Sequence, residues 1–179
     1  MSTPEPGVAR RSATNTPGAS APAFDPQKAG KVGQVVEIFG IELLGAHFDR
    51  KQEGPLPESA EPDTRPTFTL NVDWKRSDDQ SMIGCGITFA TDFGEQDAPY
   101  NVVARFRLTY SVPPGTALTD DEIENFAHWN AVFNAWPYWR EYLSSTINRA
   151  GLPRFAVPVM KLPLVGAGLP GAVAQPPTT

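Results

Sequence analysis

The chain has 179 residues, with 15 Lys+Arg against 20 Asp+Glu and a formal net charge of −5. That length suits one domain, and the acidic balance argues against a general nucleic-acid binder, which carries a basic patch or stripe. The 10 Phe, 4 Trp and 4 Tyr suffice for a core, the single Cys excludes an intrachain disulfide, and no run approaches the roughly 18 apolar residues of a bilayer span.

Proline, at 19 residues, is about twice its ordinary ~5% share. It clusters in 1–30, 55–66 and 163–179, stretches that are poor in aromatic residues. These read as a disordered N-terminal tail (1–30), a surface loop, and a disordered, uncharged C-terminal tail (162–179) around a domain over 31–161. Arg10-Arg11 is not a twin-arginine export signal, because Ser12-Ala-Thr-Asn-Thr supplies no apolar stretch after it. The expected location is the cytoplasm, with no membrane insertion.

Val35-Val-Glu-Ile-Phe-Gly-Ile-Glu-Leu-Leu44, followed by His47 and Phe48, predicts a long strand bent near Gly40 or Gly45. A proline-rich acidic loop follows. Phe68, Leu70, Val72 and Trp74 alternate with polar residues, as in a half-buried strand. Arg76-Ser-Asp-Asp79 is a turn. Strand three puts Ile83, Cys85, Ile87 and Phe89 on one face and Met82, Gly84, Gly86, Thr88 and Ala90 on the other. Strand four puts Tyr100, Val102, Ala104, Phe106, Leu108 and Tyr110 on one face, with Arg105 and Arg107 opposite.

Pro113-Pro-Gly115 ends the sheet. Thr119 and Glu122 form a capping box, and Asp120, Asp121 and Glu122 set negative charge on the positive helix end. Ile123, Phe126, Asn130 and Phe133 mark one helical face. A break is expected at Trp136-Pro137, with Pro137 opening a second helix. That helix carries Trp139, Tyr142, Leu143 and Ile147 and stops at Gly151. Residues 155–160 read as an extended apolar segment packed on the body. Strands followed by helices predict an α+β fold: a four-stranded antiparallel sheet with two C-terminal helices on one face. The small-sided opposite face, with Gly84, Gly86 and Thr88, predicts close approach of another sheet.

Catalytic groups are sparse. His47 ends a strand and His128 sits on a helix, at the surface or an interface. Cys85 lies mid-strand on the apolar face, where a thiol is inert. Gly84-Cys-Gly86 has no helix N-terminus after it and so cannot cradle phosphate. The acidic residues at 120–124 read as helix-end charge. No base, nucleophile and orienting group assemble, so no enzyme, cofactor or metal is expected. The aromatic residues Phe126, Trp129, Phe133, Trp136, Tyr138, Trp139 and Tyr142 exceed what one sheet face can cover. An oligomer or a partner must cover the rest.

Trp136-Pro-Tyr-Trp-Arg-Glu141, followed by Arg149, Gly151-Leu-Pro153 and Val157-Pro-Val159, resembles the signature of the SecB export chaperones. The strand order and the loop after strand one match as well, over roughly 32–161. The signature residues are Trp136, Pro137, Tyr138, Arg140 and Glu141. The resemblance implies an ATP-independent holdase that binds unfolded polypeptide in apolar grooves. It also implies a homotetramer, a dimer of dimers, with sheet pairing that would use Gly84, Gly86 and Thr88. The groove residues it points to are Leu56, Phe68, Leu70, Trp139, Tyr142 and Leu143. Arg105 and Arg107 on the outer face, and an uncharged tail, disfavour the export motor SecA as a partner. A dedicated client such as an antitoxin fits those departures better. The alternative reading is a small-molecule or lipid-binding α+β domain with one enclosed pocket.

Overall fold

The structure, a computed structural model, describes residues 23–50, 66–93, 100–152 and 156–160. Helical structure is present within the stretch expected to be a disordered tail. Residues assigned to the N-terminal tail form part of a helix, α1 (Pro26–Gly33), capped by Asp25 with Pro26 at its first position. Asp25 accepts from the amides of Gln27 and Lys28. Ala29 and Val32 are buried, and Val32 belongs to the main core. Two short-chain apolar residues three apart anchor this helix despite the proline-rich setting.

Four strands follow, β1 (Glu37–Arg50), β2 (Thr67–Arg76), β3 (Met82–Phe93) and β4 (Tyr100–Ser111), all antiparallel in the order β1-β4-β3-β2. The predicted bend of β1 is present twice, as register shifts between Ile38 and Gly40 and between Leu43 and Gly45. Each shift marks an extra residue on the bulged strand, Phe39 and Leu44 respectively. The alternating residues of β3 and β4 are buried on one face as expected.

The expected helix break at Trp136-Pro137 does not occur. The chain runs from α2 (Asp120–Phe126) through a π turn (Ala127–Ala131) into α3 (Val132–Arg149), with Pro137 inside α3. A proline removes one hydrogen bond, to the carbonyl four residues back. Here that residue is Phe133, and both Phe133 and Pro137 lie on the exposed side of α3, where the freed carbonyl is open to solvent and the ring has room. The capping box of Thr119 and Glu122 is present. Gly151, at φ +67°, ends α3. The Gly151 amide bonds the Asn148 carbonyl and the Leu152 amide bonds that of Ile147, a Schellman closure. Beyond it Val157 and Met160 are buried, as the extended apolar segment requires.

The core lies between the β2–β3–β4 face and the helices. Trp139 stacks on Phe89 at 5.5 Å, and Tyr110 meets Phe126 edge-on at 4.9 Å. The π turn lies over β2 and β3, and α3 over β3 and β4.

Candidate functional site

β1 is an edge strand, and the helices do not extend over it. Its register with β4 puts Ile38 opposite Tyr110 and Leu43 opposite Phe106, so both side chains share the helix-bearing face. They nevertheless stay 49% and 52% exposed, and the bulge residues Phe39 and Leu44 are exposed as well. An apolar strip therefore runs along a strand whose outer backbone edge has no strand beside it among the described residues.

Between that strip and α3 lies an open depression of about 370 Å³, lined by Leu43, Phe106, Pro137, Tyr138, Glu141 and Tyr142. Its position follows from the spacing on α3. Trp139 and Leu143 point into the core, which turns Tyr138 and Glu141 outward and leaves Tyr142 half-buried at the boundary. The Phe106 ring forms the floor, 6.5 Å from that of Tyr138. Glu141 is the one carboxylate among these lining residues. The surface is otherwise apolar and aromatic, with two phenol hydroxyls.

The residues expected to form one groove are not brought together. Of them, Tyr142 lines the depression. Trp139 and Leu143 are fully buried core residues, because the helical face they share with Ile147 is the face that meets the sheet. Phe68 and Leu70 are half-buried on β2, at the opposite edge from β1, and Phe68 packs against Trp136 at 6.3 Å. Leu56 lies outside the described residues. The signature residues predict the site better: Pro137, Tyr138 and Glu141 line it. Trp136 braces α3 through Phe89 and a bond from its indole N–H to the Pro158 carbonyl, 3.0 Å away. Arg140 is half-buried beside them. Leu43 and Phe106 were missed as site residues. Alternation marks Phe106 as inward-facing, but the bulges of β1 break the pattern around Leu43, and only the strand register puts the two side chains opposite each other.

The glycine argument for a second sheet also changes. A Cβ on Gly86 would stand 2.6 Å from an oxygen of Asp73, and one on Gly84 would meet only the Lys75 stem. Asp73 reaches across Gly86 to pair with Arg105 at 2.8 Å. The chain's own carboxylate therefore accounts for Gly86. Arg107 pairs with Glu42 at 3.6 Å, so the outer face carries crossed ion pairs.

His47 lies near Asp49 at 3.7 Å on the exposed strand end. His128, expected at a surface or interface, is buried in the π turn, where Nδ1 donates to the Glu124 carbonyl at 3.0 Å. Cys85 is buried, and desolvation pushes its thiol pKa far up, away from the reactive thiolate. The acidic start of α2 serves a neighbour: Asp121 pairs with Lys28 at 2.7 Å and Glu122 with Lys31 at 2.6 Å. Among the described residues, no cluster of three or more His, Cys, Asp or Glu could hold a metal ion, and no helix is long and apolar enough to cross a membrane.

No family model and no curated protein matches the sequence. Among solved structures, the chain is similar to the SecB-like chaperone Rv1957 of Mycobacterium tuberculosis, solved in complex with a ChAD peptide from the Rv1956 HigA1 antitoxin. That similarity covers 75% of this chain and 98% of the other, with a TM-score of 0.60 and 19% identity. A protein of unknown function from Streptococcus agalactiae aligns over 69% of this chain and 96% of its own. Its TM-score of 0.40 and 11% identity are too low to carry an argument. The antiparallel four-stranded sheet with helices on one face, matched over nearly the whole of the mycobacterial chain, gives this protein the SecB-like fold.

Proposed function

We propose that this protein is an ATP-independent chaperone that holds non-native polypeptide against the apolar surface between β1 and α3. The observation that carries this reading is the open depression of Leu43, Phe106, Pro137, Tyr138 and Tyr142, continuous with the exposed strip on β1. An open apolar surface beside an unpaired strand edge accepts an extended chain by backbone pairing and side-chain burial, with little demand on sequence. At about 25 cal/mol per Å², a few hundred Å² of contact is worth several kcal/mol before ordering costs. The mycobacterial neighbour of the same fold was solved with a peptide of an antitoxin, which supports a polypeptide ligand. It also favours a dedicated client, such as an antitoxin, over delivery to SecA. The arginines of the outer face, paired with Asp73 and Glu42, agree with that preference. An enclosed small-molecule pocket fits less well, because the depression is open along one side.

Assembly into a homotetramer in the cytoplasm belongs to the same proposal. The test is light scattering of an aggregating unfolded client diluted into the protein, with native mass measured on the same sample. Suppression near stoichiometric amounts by a species of about four chain masses is the expected result. A monomer that leaves aggregation unchanged would refute the proposal.

A further inference from the structure

The segment before α1 is held in an unusual way. Asn125, on α2, is 4% exposed and spends both ends of its amide on the main chain of residues 23–25. Its Nδ2 donates to the Ala23 carbonyl at 2.9 Å, and its Oδ1 accepts from the Asp25 amide at 3.3 Å. Phe24, between those two residues, packs on Trp129 of the π turn with ring centroids 5.1 Å apart. Trp129 is itself buried. Further along, Lys28 and Lys31 reach Asp121 and Glu122 on the first turn of α2.

The same chemistry serves polypeptide recognition. A buried side-chain amide that pairs with a C=O and an N–H two residues apart reads backbone and tolerates any side chain there. The aromatic contact supplies the anchor, and the acidic rim favours basic residues after it. Trp129 is presented from a π turn, a departure from α geometry that recurs at functional sites. The contacts are also separable. The Lys28–Asp121 pair is exposed and screened by salt, while Ala29 and Val32 fix the rest of α1 in place. Residues 23–25 precede α1 and can lift away at the cost of the Asp25 cap, while Ala29 and Val32 stay in the core.

We propose that Asn125 and Trp129 form a second polypeptide-docking site, separate from the β1–α3 depression, which the chain's own Ala23-Phe24-Asp25 closes in cis. Its ligand class is a segment with an aromatic residue between the two paired backbone groups, followed by helical turns that carry lysines. The inference stands whether or not the depression holds clients.

The test uses full-length protein and a labelled synthetic peptide of residues 20–33. A self-occupied site lowers apparent affinity by the fraction of open molecules. Phe24→Ala therefore should bind the peptide about tenfold or more tightly than the unaltered protein. Adding Asn125→Ala, or replacing the peptide's own phenylalanine by alanine, should abolish that gain. Equal binding by Phe24→Ala and the unaltered protein, or a gain that survives loss of Asn125, overturns the proposal. Hydrogen exchange on the unaltered protein gives an independent check should the variants fold poorly. Raising salt from about 0.05 M to about 1 M should speed exchange of the Asp25 amide while leaving the β4 amides protected. An Asp25 amide that exchanges only with β4 means a fixed structural segment, and the proposal fails.

Discussion

β4 and β1 are neighbours in one sheet with similar apolar patterns, yet they have opposite fates. Along β4, Val102, Ala104, Phe106 and Leu108 are buried beneath the helices. Along β1, Ile38 and Leu43 sit on the same face, paired directly to β4, and remain about half exposed. Alternation encodes which face a side chain takes. Depth depends on whether another layer lies above it, and the helices cover β2, β3 and β4. β4 therefore carries stability, and β1 carries the exposed apolar surface.

The largest effect that tests this contrast is Trp139→Ala. Trp139 is fully buried against Phe89, so its truncation should cost about 3–5 kcal/mol, read as a lower denaturant midpoint. A smaller cost, with loss of client binding instead, would move Trp139 from the core to the groove. On the other strand, Leu43→Ser should change the stability of the chain by less than about 1 kcal/mol while weakening aggregation suppression. Equal losses in both measurements would erase the distinction between the strands.

Gly86→Ala probes the outer face between them. The new methyl must displace Asp73 from over the strand and so from Arg105, a cost of about 1 kcal/mol. In an Asp73→Ala background the same change should be neutral, as a double-mutant cycle can show. A cost that persists without Asp73 points to a contact with another molecule.

The smallest effect is the pH response of α1. The bond from Lys31, with that from the Thr119 amide, holds the Glu122 carboxyl below its ordinary value. A depressed acid contributes stability above its unfolded pKa of about 4.3, and loses it as pH falls through the lower folded value. Asp121 raises the Lys28 pKa. That contribution is complete below the unfolded value near ~10.4 and is lost as pH rises through the folded one. The α1–α2 contact should therefore be firmest from about pH 5 to pH 10. Hydrogen-exchange protection of the α1 amides, relative to those of β4, should fall on the acid side. A flat profile there would show that these ion pairs do not hold α1 on α2.

Cys85 reports on the covered half of the sheet. Burial keeps its thiol protonated, so labelling should be slow in the native state and should track unfolding. Fast labelling of native protein would show that β3 is open to solvent.

Much of the molecule was legible in the sequence. Period-two alternation set the faces of β2, β3 and β4, Thr119 and Glu122 announced the start of α2, and Gly151 announced the end of α3, because caps and turns depend on local chemistry. The signature at 136–141 located part of the candidate site, Pro137, Tyr138 and Glu141. Pro137 misled, since whether a proline breaks a helix depends on which side of the helix meets water. Trp139 and Leu143 misled for a related reason: an apolar helical stripe reads the same whether it meets a core or a client.

What the sequence determined by itself is therefore the four strands and the sides that residues of β2, β3 and β4 take, both consequences of backbone periodicity over a few residues. Tertiary structure alone decided the rest. It left β1 at an uncovered edge, turned Asp73 over Gly86, and laid Phe24 on Trp129 across a separation of about a hundred residues. These outcomes rest on contacts between segments far apart in the chain, for which no local pattern exists.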